Sequence, residues 1–220
     1  MAPQREAWEA IHGLKFPSVT VSHVPWTSLP RKFLHVGIVL ATDLAPESDL
    51  PKAILHVSGD ETLAGYQVRR LHASGCASVY VVLGAEAERA RAELAAHQIV
   101  VNEFWQQGRV SAIQAALKGL DRYDGCLLIP VDTIGVLDDT LQQLIEASEL
   151  GEHSVIRPSY NGQPGRLAWI NRAAAAEVAA MSPSGDKSFD VFLLSRAHLL
   201  PVDDPAILAA INGSEIRDDI

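Results

Sequence analysis

An apolar run followed by a helical pattern recurs four times in the first two-thirds of this 220-residue chain. The apolar runs are FLHVGIVLA, SVYVVLG, IVVN and GCLLIPV, and the helical patterns after them are ETLAGYQVRRLHASG, AEAERARAELAAH, RVSAIQAALKGL and LDDTLQQLIEASEL. Strands that alternate with helices form parallel sheets with helices on both faces. The order therefore predicts a three-layer α/β fold with a mainly parallel sheet.

The rest of the chain adds shorter elements and an N-terminal extension. SVIRPSY, LAWIN and LPVDD are predicted strands, and RAAAAEVAAM and KSFDVFLLSRAHL are predicted helices. Residues 1–33, which include Trp8 and Trp26, have no sustained period and are interpreted as an arm or cap. Residues 34–220 are predicted to form one domain, since 48% hydrophobic content suffices for one sizeable core.

Composition narrows the classes of partner. A formal charge of −9 without a basic patch argues against nucleic acid, and the chain has no apolar stretch long enough to cross a membrane. Its N-terminus lacks the apolar core of a secretory signal. Cys76 and Cys126 lie beside small or apolar residues, which predicts two buried free thiols and a cytoplasmic location. Serine-hydrolase, Walker and dinucleotide-binding glycine motifs do not occur.

The residues that follow the strands are the first candidates for a site, because ligands bind there in open α/β sheets. Asp132 ends the apolar run CLLIPVD and is predicted either to hold a divalent cation or to cap the next turn with Thr133. Lys52 is predicted either to reach a phosphate or to be an ordinary solvated lysine.

Two further segments have competing interpretations. Gly108, Arg109 and Ser111 open a helical pattern, where unpaired backbone N–H groups favour an anion; the alternative is a glycine turn with a serine near the cap. The segment PSYNGQPG, Pro158 to Gly165, favours a hairpin around its Asn-Gly turn over a substrate-binding role.

Taken together and in order, these segments resemble the molybdenum-cofactor nucleotidyltransferases, the MobA-like NTP transferases. The likeness runs from Leu34 to Glu215 and rests on the lysine-terminated loop LATDLAPESDLPK, VYVVLGAEAERARAEL, NEFWQQG, LLIPVDT, PSYNGQPG and LPVDDPAIL. It implies a Rossmann-like nucleotidyltransferase fold that binds NTP and magnesium at the strand ends and transfers CMP or GMP to a phosphorylated, molybdopterin-like acceptor.

The resemblance also implies roles for individual positions. Lys52 and Asp132 become the catalytic residues, with Lys52 on phosphate and Asp132 on magnesium. The implied nucleotide-binding residues are Leu40, Ala41, Lys52, Gly84, Asn102, Gly108, Arg109 and Ser111.

Several positions depart from the family pattern. The family's loop is small and glycine-rich and carries an arginine, whereas this chain has Asp43, Glu47 and Asp49 at the first glycine, the arginine and the second glycine. Asn212 replaces a carboxylate expected to share the metal. The family's Gly-His-Pro becomes Gly165, Arg166 and Leu167.

The charges of the loop set the functional expectation. A carboxylate about 5 Å from a phosphate charge costs roughly 3 kcal/mol at an effective dielectric near 20. Three such carboxylates offset most of a micromolar affinity, which is worth about 8 kcal/mol. The sequence therefore favours a divergent member with weak or lost NTP binding and a binding or regulatory role. An active magnesium-dependent nucleotidyltransferase, and a protein-interaction module that uses the N-terminal extension, are the alternatives.

Overall fold

The computed structural model describes residues 33–183 and 186–210, which form an α/β domain. Its strands are β1 His35–Ala41, β2 His56–Ser58, β3 Glu61–Thr62, β4 Ser78–Leu83, β5 Gln98–Val101, β6 Gly125–Pro130, β7 Val155–Tyr160, β8 Gln163–Pro164, β9 Ala168–Asn171 and β10 Ala197–Pro201. Its α-helices are α1 Leu63–Ala73, α2 Ala87–Glu93, α3 Arg109–Leu117, α4 Asp138–Glu149, α5 Arg172–Ala180 and α6 Asp186–Arg196. Short 3-10 helices cover Lys52–Ile54, Trp105–Gln107 and Pro205–Leu208.

The described strands form one eight-stranded sheet and one small hairpin. The order in the large sheet is β10, β7, β9, β6, β1, β4, β5, with β8 paired to β7. β1 lies at the centre, parallel to β4 and β6, and β10 is parallel to β7. β9 runs antiparallel between β6 and β7, and β8 is also antiparallel. The mainly parallel sheet predicted from the four strand-helix units is confirmed.

Two apolar clusters, one on each face of the sheet, make the three layers. One contains residues of α1, α2 and α4, including Leu71 and Leu144. The other contains residues of α3, α5 and α6, including Ile113 and Phe192. Neighbouring residues of β1 alternate between them, because successive side chains of a strand point to opposite faces: Ile38 belongs to the second cluster and Val39 to the first.

The last third differs from prediction at one boundary. The helix predicted through KSFDVFLLSRAHL ends at Arg196, and Ala197 begins β10. The predicted strand LPVDD is wrong in its limits, since β10 ends at Pro201. No glycine separates helix from strand there, so the apolar residues run through the junction without a break in the pattern. The Asn161–Gly162 turn between β7 and β8 confirms the predicted hairpin.

Both cysteines are free and buried, as predicted. In the described ranges, no helix is long and apolar enough to cross a membrane. The predicted N-terminal extension, with Trp8 and Trp26, lies outside the described residues except for Phe33, and so does Asn212.

Candidate functional site

The carboxyl ends of β1 and β6 and the β7–β8 hairpin surround a cleft of about 400 Å³. This is the edge of a parallel sheet at which ligands bind. Leu40 of β1 forms part of its wall. The charged side chains that line the cleft are Asp43, Lys52, Arg109, Asp132, Arg157 and Arg166. Four of the residues predicted for the site therefore share one cleft: Leu40, Lys52, Arg109 and Asp132.

Asp132 forms two ion pairs in the cleft, because each of its carboxylate oxygens accepts a hydrogen bond from a different cation. Lys52 Nζ donates to Asp132 Oδ2 at 2.8 Å, and Arg166 Nη1 donates to Asp132 Oδ1 at 2.8 Å. The Asp132 side chain is 9% exposed and that of Lys52 is 15% exposed. Lys52 is thus not a solvated surface lysine, and the Asp132 carboxylate forms ion pairs rather than a turn cap with Thr133.

These ion pairs determine the charge state of Asp132. Burial acts to raise the pKa of the Asp132 carboxyl, but the hydrogen bonds and positive charges of Lys52 and Arg166 outweigh it and lower the pKa below its ordinary value of 3.8. At neutral pH the group is therefore a carboxylate held between two cations.

Gln67 of α1 fixes the backbone on both sides of Asp132. Its side-chain Nε2 donates to the carbonyl oxygens of Val131 at 3.2 Å and Thr133 at 2.7 Å, and the residue is completely buried. Because buried carbonyl groups need partners, the amide holds the turn after β6 against the helix. Sequence reasoning missed Gln67; the available signal is a polar residue on the apolar face of the first predicted helix.

The loop between β1 and Lys52 folds back on itself. Leu44 and Pro51 form an antiparallel bridge, Ala45 N–H donates to the Leu50 carbonyl at 2.7 Å, and Lys52 N–H donates to the Asp43 carbonyl at 3.0 Å. Asp49 has φ of 50°, the left-handed conformation that glycine adopts freely. The backbone N–H groups of Ala45 and Lys52 are consequently used inside the loop and are not directed at an anion.

The three acidic side chains of this loop do not act as one group. Asp43 lines the cleft, whereas Glu47 and Asp49 are exposed and do not line it. The expectation that three carboxylates face the ligand is therefore wrong for two of them. One carboxylate about 5 Å from a phosphate charge still costs roughly 3 kcal/mol at an effective dielectric near 20.

Two arginines in the cleft, Arg157 and Arg166, were not among the predicted site residues. Arg166 also donates to Thr133 Oγ1 at 3.2 Å and to the carbonyl of Ala209 at 3.3 Å. Nε of Arg157 donates to the carbonyl of Gly165 at 3.1 Å, and Nη2 donates to the same oxygen. The sequence signals were an arginine inside the apolar strand VIRPSY and the Gly-Arg-Leu that replaces Gly-His-Pro.

Asn102 and Ser111 lie in a different cleft, of about 420 Å³. Asn102 Nδ2 donates to Ser111 Oγ at 2.9 Å, and Ser111 Oγ is 2.8 Å from the carbonyl of Gly108, to which it donates. Gly108 has φ of 86°, so the predicted glycine turn with a serine near the cap is present. These bonds stabilise the loop before α3, and a nucleotide contact by these three residues stays a prediction.

The two other predicted nucleotide-binding positions, Ala41 and Gly84, have packing roles. Ala41 is buried, with 2% exposure, in the cluster that includes α1. A Cβ on Gly84 would lie 2.6 Å from Trp105 Cβ and 2.8 Å from the Thr42 carbonyl oxygen, so only glycine fits. Nucleotide binding at these positions also stays a prediction.

The family profile described as the MobA-like NTP transferase domain matches residues 37–199, which include most of β1 and all of the cleft's described charged residues. The chain belongs to the MobA-like NTP transferase family. This confirms the resemblance drawn from the ordered motifs.

Solved structures agree with this MobA-like fold. Rv0371c of Mycobacterium tuberculosis H37Rv superposes with a TM-score of 0.67 at 21% identity, covering 84% of this chain and 95% of that one. Molybdopterin-guanine dinucleotide biosynthesis protein A of Archaeoglobus fulgidus superposes with a TM-score of 0.63 at 17% identity, covering 82% and 94%. At these identities the likeness establishes the fold alone.

A curated relative shares more sequence. The nicotine blue oxidoreductase of Paenarthrobacter nicotinovorans is 30% identical over 160 residues, covering 70% of this chain and 78% of the relative. The MobA-like family therefore includes a close relative of this chain that is named for oxidation and reduction.

The arrangement at Asp132 does not fit a divalent metal. Rv0371c, which is 22% identical to this chain, has also been solved as a complex with manganese. In this chain, however, both oxygens of Asp132 are engaged by Lys52 and Arg166. Within the described ranges, no group of three or more histidine, cysteine or acidic side chains is arranged to hold a metal ion. A metal bound by Asp132 would have to displace the cations of Lys52 and Arg166.

Proposed function

We propose that this chain is a divergent MobA-like protein in which ordinary binding of a nucleoside triphosphate with its metal is weak or lost, and in which the cleft has a binding or regulatory role. The observation that carries the proposal is the double ion pair at Asp132, with Lys52 at 2.8 Å and Arg166 at 2.8 Å. Asp132 and Lys52, which nucleotidyl transfer would require for metal and phosphate, instead form an ion pair with each other.

The cost of breaking this arrangement supports the proposal. Removing one partner from a buried ion pair costs about 3–5 kcal/mol, and these pairs lie partly buried, with 15% exposure for the Lys52 side chain and 31% for Arg166. Binding a triphosphate at the loop would in addition require the N–H groups of Ala45 and Lys52 to leave their backbone partners. Nucleotidyl transfer depends on cations placed where charge develops, and Asp43 adds a negative charge there.

The nicotine blue oxidoreductase supports the proposal in a different way. It shares 30% identity over 160 residues with this chain, whereas the molybdopterin-guanine dinucleotide biosynthesis protein A of Archaeoglobus fulgidus shares 17%. A MobA-like scaffold is therefore compatible with a role other than nucleotidyl transfer. The relative also defines a second candidate, an oxidoreductase, which is tested by assaying reduction of nicotine blue with NADPH or reduced flavin as electron donor.

The first test is calorimetric titration of the protein with CTP, GTP and ATP, each with magnesium, with manganese and with EDTA. We expect magnesium and manganese to add no heat of binding to that seen in EDTA, up to millimolar nucleotide. Micromolar binding that requires metal would overturn the proposal. A Lys52→Gln variant is the control for such a signal, because it removes the cation expected on phosphate and should abolish binding at the predicted site.

The alternative is an active magnesium-dependent nucleotidyltransferase that transfers CMP or GMP to a molybdopterin-like or other phosphorylated acceptor. It is favoured by the position of Leu40, Lys52 and Asp132 in one cleft. In this candidate Arg166 must release Asp132 before Asp132 can hold a metal and Lys52 can neutralise phosphate. Transfer activity that is lost in Asp132→Ala would establish it.

A further inference from the structure

The cleft has a positive charge that the overall composition of the protein does not suggest. The chain has a formal charge of −9. Among the residues that the structure describes, the charged side chains lining the cleft are four cations, Lys52, Arg109, Arg157 and Arg166, and two carboxylates, Asp43 and Asp132. The neighbouring carboxylate of Asp190 accepts from Arg109 Nη2 at 2.8 Å, so a net positive charge remains after it is counted.

Arg157 is the cation of the cleft whose described hydrogen bonds go to a neutral group. It is half-buried, and both of its described hydrogen bonds go to the carbonyl oxygen of Gly165. In the part of the chain that the structure describes, Arg157 has no carboxylate within ion-pair distance. Burial lowers the pKa of its guanidinium; Asp190 opposes that effect and the charge of Arg109 adds to it. An anion bound beside Arg157 would remove this unfavourable state.

Arg166 occupies a different part of the same cleft. Its guanidinium donates to Asp132 Oδ1 and Lys52 donates to Oδ2, so two cations share one negative charge and one positive charge is left over. A divalent metal bridging Asp132 to a ligand would supply positive charge at this place. Here the positive charge is part of the chain, so the cleft attracts an anion without a bound metal ion.

We propose that this cleft binds a small organic anion without a divalent metal, with Arg157 as its principal contact and Arg166 paired to Asp132 in the place of a metal ion. The volume of about 400 Å³ is near the lower end for ligand pockets and suits a small phosphorylated or carboxylated compound. The planar guanidinium of Arg157 matches the geometry of a phosphate or a carboxylate. This inference rests on the proposed function, since it names the ligand class of the same cleft.

The experiment is calorimetric titration of the full-length protein in EDTA and low salt with inorganic phosphate, glycerol 3-phosphate and succinate. We expect at least one of them to bind without metal, and the comparison of glycerol 3-phosphate with succinate to identify phosphate or carboxylate as the recognised group. Arg157→Gln should weaken binding about tenfold or more, because a charged hydrogen-bond donor is lost. The matched control Arg196→Gln removes an exposed arginine that pairs with Glu177 outside the cleft, and should leave binding unchanged.

Two further measurements keep the outcomes separate. Should Arg157→Gln fail to fold by circular dichroism, Arg157→Lys retains the charge without the planar fork and should still weaken binding. The inference is overturned if none of the three anions binds, or if binding is equal in wild type and the Arg157 variants. Metal-dependent triphosphate binding in the nucleotide titration would instead contradict the proposed function, so the two failures are distinguishable.

Discussion

The chemistry of Asp132 depends on the side chains that contact its carboxylate. Its carboxylate lies at the end of β6, where the MobA-like resemblance places it. Its oxygens nevertheless bond to Lys52 and Arg166. Arg166, which follows Gly165, supplies the guanidinium that reaches Oδ1. We therefore expect Arg166, rather than Asp132 itself, to decide whether a metal ion binds here.

This argument predicts a gain of metal binding on removal of one side chain. In Arg166→Ala the Oδ1 atom of Asp132 loses its cation. We expect manganese affinity, measured from the electron paramagnetic resonance signal of free Mn²⁺, to rise about tenfold or more, equivalent to about 1.4 kcal/mol. Adding Asp132→Asn to the same protein should abolish the gain. Equal manganese binding by wild type and Arg166→Ala would show that Arg166 does not block the metal.

The ion pairs of Asp132 also predict how the free energy of unfolding depends on pH. Its lowered pKa means that the ion pairs contribute stability above the unfolded-state pKa near 3.8, and that this contribution is lost as pH falls through the still lower folded-state value. Asp132→Asn should therefore reduce the free energy of unfolding at pH 7 by about 1–3 kcal/mol. The difference from wild type should shrink progressively below pH 4. Urea denaturation at several pH values measures both, with the exposed Asp121→Asn as control; a pH-independent difference would contradict the assignment.

At the scale of elements, the segment after β10 is held by Asp204. Its buried carboxylate accepts from Leu137 N–H at 2.8 Å and Thr140 Oγ1 at 2.7 Å, at the start of α4, and from Ala206 N–H at 3.1 Å, in its own 3-10 helix. The motif LPVDDPAIL that contributed to the resemblance thus has a structural role. One side chain joins the start of α4 to the 3-10 helix Pro205–Leu208 beside the β7–β8 hairpin.

Asp204→Ala should accordingly destabilise two elements together. It leaves the donors of Leu137 and Thr140 without their partner, and loss of such a cap costs about 0.5–2 kcal/mol with a further 1–3 kcal/mol for a buried unpaired group. We expect a lower urea midpoint with an unchanged slope. The adjacent Asp203 is exposed, so Asp203→Ala is a matched control that should stay within about 0.5 kcal/mol of wild type. Equal effects of the two changes would contradict the capping role.

The sequence predicted best those strands and helices at whose ends the spacing of apolar residues changes. β1, β4 and β6 are continuous apolar runs followed by loops, and the helices after them have clear spacing. The junction of α6 and β10 failed because its apolar residues continue from Leu193 to Leu200 with only Ser195, Arg196 and His198 between them. The hairpin of β2 and β3 was missed because two short strands leave little pattern.

The site was harder to predict than the fold, because its chemistry depends on contacts between distant parts of the chain. Lys52 and Asp132 are 80 positions apart, and the sequence placed both at strand ends but not in contact. Gln67 supports the Asp132 turn from another helix. The sequence identifies Arg166 only as a departure from the family's Gly-His-Pro. Such a departure does not reveal that the arginine forms an ion pair with Asp132.

At the scale of the whole molecule, the positive cleft lies in an acidic protein. The surrounding negative charge repels large polyanions, while the cleft favours a small anion that enters it. The sequence-based exclusion of nucleic acid and the inferred small-anion site are therefore consistent. The net negative charge of the chain thus repels polyanions at long range, while the cations of the cleft attract a small anion locally.

The reactivity of the two cysteine thiols measures how readily each face of the domain unfolds. Cys76 packs in the cluster with α1 and Cys126 in the cluster with α3, so the two thiols report on opposite faces of the sheet. Burial raises the pKa of each thiol to about 12. At pH 8 roughly one thiol in ten thousand is then a thiolate, which is the reactive form. We expect dithiobis(nitrobenzoate) to react with neither cysteine in the folded protein and with both in urea, at a rate that follows unfolding. Rapid reaction of one thiol in native buffer would show that its face of the sheet opens without global unfolding.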